Sequence, residues 1–272
     1  MKDNIKIMKH DINFIFSIGY RCYSCNFLTS FNLRKFSGPF DYIFIDFETS
    51  LKTINDNFDN FLSDIVVFNK NEQKIELMHN KNTHVIAPNV YELLHNNIGY
   101  MAENYNATNV IFNQNYLDDN KLSENLYDWN SICVFHHHCL RDNDVYNLIQ
   151  KRCDRFKHVI STYNETTALL YITKIVNCSN IIDYMNKIIA LKHKYYIHCF
   201  IIVIINCDNI YDTHYYNEQD KCLFIIKKVE NYEMQRSKCR TDNNVNSEND
   251  YKKEYNIILD YFSFTLIEKN DI

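Results

Sequence analysis

Phe14-Ile15-Phe16-Ser17-Ile18-Gly19-Tyr20-Arg21-Cys22 reads as a short apolar strand closed by a glycine, with a helix opening at its end. A strand this continuously apolar is buried on both faces, which is the habit of parallel sheets carrying helices on either side. Cys22 through Leu33 extends the reading, with Cys22, Cys25, Asn26 and Thr29 at helical turn spacing. Outward from this unit, apolar runs keep alternating with segments of helical period. Strands are expected over Ile132–Phe135, Ala168–Ile172, Cys199–Ile205 and Leu223–Ile226. Helices are expected over Ser50–Phe61, with Ser50 as its cap, and over Asp144–Ile160, Ile181–Lys192 and Lys252–Phe262. The alternation predicts an α/β chain with a mostly parallel, Rossmann-like sheet and helices on both faces, shared by Phe14–Ile18, Ala168–Ile172 and Cys199–Ile205. Asn69 to Asn130 is polar and weakly periodic apart from His84-Val85-Ile86-Ala87 and Asn109-Val110-Ile111-Phe112. One domain over residues 1–272 is expected, with 231–249 as a polar, linker-like loop.

Average usage would give a chain of this length roughly nineteen glycines and fourteen prolines. It has 3 and 2. Gly19, Gly38 and Gly99 are too far apart for a dinucleotide fingerprint, a P-loop, a G-x-S-x-G elbow or a kinase glycine loop, so those classes are excluded. A formal charge of −5 offers no general attraction for nucleic acid. Charges are interleaved through Met1–His10, and the longest apolar run, Ile197–Cys207, is about half a membrane span. The reading is therefore a soluble, intracellular, cytoplasmic protein with no membrane partner. Its ten cysteines are then expected as free thiols.

Cys22 lies just past the strand-ending glycine, where open α/β sheets place their ligand crevice. A helix beginning there lowers a thiol pKa, although a cysteine among ten is more often a small buried hydrophobe. Cys22-Tyr-Ser-Cys25 also fits a redox C-x-x-C, a spacing that arises easily in so cysteine-rich a chain. His136-His137-His138-Cys139 ends a predicted strand and offers a general base, or else a plain surface cluster. Asp41, Asp142 and Asp144 are candidates to orient an imidazole, and Asp41 alternatively to cap backbone amides. No ligand-spaced metal set is present, and no metal or cofactor is expected. Ser37-Gly38-Pro39-Phe40-Asp41 is a rigid turn, because Pro39 lacks an amide donor and restricts Gly38.

Ser17, Gly19, Cys22, Arg34, Ser37, Pro39, Phe40 and Asp41 together resemble the opening of the DUF1796 family, labelled "putative papain-like cysteine peptidase". Tyr42 stands where that family usually has Trp. Phe135–His138 is similar to its histidine segment, Tyr146–Phe156 to its basic helix, and Ala168–Lys174 to the strand that follows. The likeness runs from about Ile12 to Ile205. It implies Cys22 as nucleophile, His136 or His137 as base and Asp41 as orienting carboxylate, in acyl transfer through a thioester to an unknown substrate. A second reading is an α/β transferase whose nucleotide-linked donor is held by Lys151, Arg152 and Arg155. A third is a binding module without catalysis.

Overall fold

The computed structural model describes residues 9–20, 22–69, 72, 74–81, 90, 92–93, 109–122, 131–135, 137–173, 180–207, 212–229 and 247–267. Its strands are β1 (His10–Ile12), β2 (Phe14–Ser17), β3 (Phe44–Ile45), β4 (Ile65–Asn69), β5 (Lys74–Met78), β6 (Asn109–Asn113), β7 (Cys133–Val134), β8 (Thr167–Ile172), β9 (Phe200–Cys207), β10 (Thr213–Asn217), β11 (Cys222–Lys228) and β12 (Phe262–Phe264). The helices are α1 (Tyr23–Ser30), α2 (Phe47–Asn55), α3 (Asn143–Tyr163), α4 (Ile181–Lys194) and α5 (Ser247–Tyr261).

The first sheet has the order β10-β11-β9-β8-β2. Phe14 pairs with Thr167, Ala168 with Phe200 and Ile201 with Cys222, all in parallel ladders, so the three strands expected to share a parallel sheet do share one. Alternation along these strands explains why they read as unbroken apolar runs. Phe14, Phe16, Leu169, Tyr171, Ile201 and Val203 face one cluster with Phe156 of α3 and Leu191 of α4. Ile15, Ala168, Leu170, Ile202 and Ile204 face the other, with Phe27 and Leu28 of α1 and Ile258 of α5. Both faces are dry, and each residue of the run has a core to enter.

The expectation of a mostly parallel, Rossmann-like sheet for the whole chain is overturned. A second five-stranded sheet, β3-β7-β6-β4-β5, is antiparallel throughout, and β10 adds an antiparallel edge to the first sheet. Val66, Val67, Phe112 and Val134 of the second sheet join the same cluster as Phe16 and Leu169 of the first. β1 and β12 form a separate parallel pair.

Helix α2 also differs from its reading. Its cap lies four residues earlier than the expected Ser50, because the Asp46 side chain accepts from the Thr49 amide at 3.0 Å and takes the cap itself. It ends at Asn55 since Asn57 and Phe58 adopt left-handed backbone, with φ of 54° and 63°. Helix α3 begins at Asn143, capped by Asp142, with Asp144 in its first turn. His84–Ala87 and residues 231–246 of the expected loop lie outside the described residues, while α5 begins at Ser247. No helix among the described residues is long and apolar enough to cross a membrane.

Candidate active site at the start of helix α1

The carboxyl ends of β2 and β8 carry the loop that delivers Cys22. Gly19 makes the turn at φ 110°, and a Cβ there would sit 2.5 Å from the Ile45 carbonyl oxygen. No L side chain fits without moving β3. Gly19→Ala is therefore expected to lower stability by about 1–3 kcal/mol from backbone strain alone. Thermal melting of the purified variant checks this, and an unchanged transition would show that the loop has another path.

Two buried hydroxyls, Ser24 and Ser50, hold the same loop. Ser24 Oγ donates to the Gly19 carbonyl and accepts from the Ile172 amide at 3.0 Å, tying the loop to β8. Ser50 Oγ donates to the Ile18 carbonyl at 2.5 Å, tying it to α2. Sequence reading missed both serines, and Ser24 gave no signal beyond its place one turn into a helix. Ser50 was read as a cap, whereas its hydroxyl reaches across to the end of β2.

Cys22 occupies the N-cap position of α1, but its side chain makes no cap bond. Its Sγ lies 3.1 Å from His137 Nε2 instead. The start of a helix carries partial positive charge and unpaired amides, which favours a thiolate over a thiol. His137 sits in the loop after β7, whose backbone is fixed by Phe135 donating to the Ile111 carbonyl at 2.8 Å. Burial first, then the neighbouring His138, push the His137 imidazole down to about 4, so it is neutral at pH 7. The Tyr42 ring packs against it with centroids 5.5 Å apart. His138 Nε2 is 3.0 Å from the Asp41 backbone carbonyl, which fastens the histidine loop to the Pro39–Asp41 turn. His136 lies outside the described residues.

The Asp41 carboxylate, 2% exposed, is committed to its own turn. Oδ1 accepts from Ser17 Oγ at 2.9 Å, while Oδ2 accepts from Gly38 N at 2.9 Å and from Arg34 Nε at 3.0 Å. Arg34 Nη2 completes the ion pair at 2.9 Å. Among the described residues its carboxylate caps one backbone amide, that of Gly38. Phe40 is buried against Phe58, Phe61 and Phe156, anchoring the turn by its ring. Asp142 caps α3 by accepting from the Asp144 amide at 2.8 Å, and Asp144 stands in the helix's first turn.

Cys25, one turn beyond Cys22, is fully buried. Burial and then the Asp41 charge push its thiol up to about 12, and its partner is the Tyr42 hydroxyl. A resolving thiol for redox exchange needs a more accessible, more acidic sulfur than this. None of the eight cysteines among the described residues is in a disulfide. On α3, Lys151 is exposed, while Arg152 and Arg155 turn toward the Ser37–Asp41 turn. Among the described residues no group of three or more His, Cys, Asp or Glu side chains is arranged to hold a metal.

No curated protein and no solved structure matches the chain. Residues 13–210 match the family described as "Putative papain-like cysteine peptidase (DUF1796)", a match that takes in Cys22, Asp41, His137 and the basic face of α3. With most of its length inside that match, the chain belongs to the DUF1796 family.

Proposed function

We propose that the chain is a cysteine-nucleophile hydrolase or acyltransferase in which Cys22 attacks an acyl carbonyl and His137 moves the proton. The observation that carries this reading is the 3.1 Å approach of Cys22 Sγ to His137 Nε2 at a helix start. A nucleophile within hydrogen-bond reach of a neutral base is the working arrangement for acyl transfer.

With the ring proton on Nδ1, His137 Nε2 takes the Cys22 proton as sulfur bonds to the carbonyl carbon. The carbonyl electrons move to oxygen, and the amides opening α1 are placed to stabilise that oxyanion. Collapse breaks the bond to the leaving group, which departs with the proton from His137, and a thioester remains on Cys22. Water then attacks the thioester while His137 accepts its proton, and the acid leaves as the Cys22 thiol re-forms. Asp41 acts through position, by holding Gly38 and, through its carbonyl, His138.

Incubation with p-nitrophenyl acetate is the direct test. A burst of p-nitrophenol, with an acetyl group located on Cys22 by mass spectrometry and lost in Cys22→Ala, is expected. Acetylation of Cys22 no faster than of exposed Cys139 would favour a binding module instead.

A further inference from the structure

Among the described residues three guanidinium groups converge on the Ser37–Asp41 turn, and one carboxylate, Asp41, answers them. Arg34 pairs with Asp41 at 2.9 Å. Arg155 Nη2 donates to the Ser37 carbonyl at 2.9 Å, and its guanidinium lies over the Phe36 ring at 4.7 Å. Arg152 Nε and Nη1 and Arg155 Nε are buried with no hydrogen-bond partner among the described residues. Guanidinium nitrogens buried without acceptors are costly to a fold, so their retention calls for an acceptor that arrives from outside.

The charge balance points the same way. Among the described residues the carboxylate facing both Arg152 and Arg155 is Asp41, whose two oxygens already receive Ser17, Gly38 and Arg34. His137 and His138 are both shifted toward their neutral forms by burial and add no compensation either way. Arg152 and Arg155 are themselves only partly buried, so the cluster has a side open to solvent. It adjoins the reactive pair. Arg152 lies within electrostatic range of Cys25, one helical turn from Cys22, and of His138, which follows His137 and is held by the Asp41 carbonyl at 3.0 Å.

We propose that Arg152 and Arg155, backed by Arg34, form an anion subsite beside Cys22 and His137, and that the acyl substrate presents a carboxylate or phosphate oxyanion to it. Planar guanidinium donors suit either group, and the chemistry common to both is a delocalised oxyanion. The inference deepens the acyl-transfer reading and rests on it for the substrate. The subsite itself needs only the arginines.

The test uses three methanethiosulfonates of different charge on the full chain. In each, the Cys22 thiolate attacks the sulfenyl sulfur, a mixed disulfide forms and methanesulfinate leaves. Exposed Cys139 serves as the internal reference, with both sites read by mass spectrometry. The sulfonatoethyl reagent is expected to label Cys22 about tenfold or more faster than the trimethylammonioethyl reagent, relative to Cys139, from charge-assisted hydrogen bonding. That preference runs against the −5 charge of the whole chain. The double variant Arg152→Gln, Arg155→Gln should lose that preference once each rate is divided by the neutral methyl reagent's, which carries any change in Cys22 reactivity itself. Inorganic phosphate and succinate, at equal ionic strength, should each slow neutral labelling of Cys22, and the stronger protector identifies the favoured oxyanion. Phosphate should also raise the melting temperature of wild type and not of the double variant, a reading that involves no chemistry at Cys22.

A charge preference equal to that at Cys139, or one that survives in the double variant, would overturn the subsite. So would a large drop in melting temperature for Arg152→Met, which would assign the buried guanidinium to the fold. Slow neutral labelling of Cys22 combined with intact phosphate stabilisation would retain the subsite and remove the nucleophile, so the two failures are distinguishable.

Discussion

His137→Gln is expected to lower the rate of Cys22 acylation at pH 7 by about a thousandfold, within the range general-base removal spans. The imidazole is held near 4 by burial and by His138, so in wild type the base is deprotonated across the neutral range. The acylation rate should fall only as pH drops toward 4, where His137 takes up a proton and can no longer accept one from Cys22. Glutamine keeps a polar side chain of similar reach but has no base. In the variant Cys22 has no base to take its proton, so its rate should rise with pH as the free thiolate fraction grows. Protonation also bears on folding. A histidine whose folded value is depressed lends stability that is present above about 6.5 and is lost as pH falls through about 4. Wild type should therefore lose part of its stability between those values, and the glutamine variant should lose less. Identical pH–rate profiles for the two proteins would sink His137 as the base.

The parallel trio β2, β8 and β9 was legible because burial on both faces writes itself as an unbroken apolar run. The second sheet was hidden for the opposite reason. β3 is two residues long and β5 is an edge strand with partly exposed side chains, so neither leaves a pattern strong enough to separate from loop, while β7, which was expected, is too short to show which strands it pairs with. The start of α2 was placed at Ser50 because Asp46 lies ahead of the apolar stripe, yet Asp46 takes the cap, and left-handed backbone at Asn57 and Phe58 ends the helix early. Cys22 could be singled out because a scarce glycine precedes it. The partner histidine could not be chosen by strand alternation, since β7 ends at Val134 and the chain has left the pleat before the histidines begin. Arg34 is seven residues from Asp41, and the pairing runs across a turn whose shape no periodicity encodes.

That pairing sets the second large effect. Asp41→Asn is expected to destabilise the protein by about 3–5 kcal/mol, the usual consequence of removing one partner from a buried ion pair. Isostery does not rescue it. With the amide oxygen turned to Arg34 and Gly38, the amide nitrogen faces Ser17 Oγ, which must reverse its hydrogen bond; in the other orientation it confronts two donors. In either case the Arg34 guanidinium loses its counter-charge beside Arg152, whose own value burial already lowers. Arg34→Gln should be destabilising by itself, and the double variant should cost less than the sum of the singles, because the two changes remove one shared interaction. Chemical denaturation of the four proteins reads this directly. Acylation of Cys22, measured well below each melting transition, should fall less for Asp41→Asn than for His137→Gln, since the carboxylate holds the turn and the imidazole handles the proton. If Asp41→Asn melts like wild type and abolishes acylation, the carboxylate orients the base after all, and the Arg34 pair is incidental.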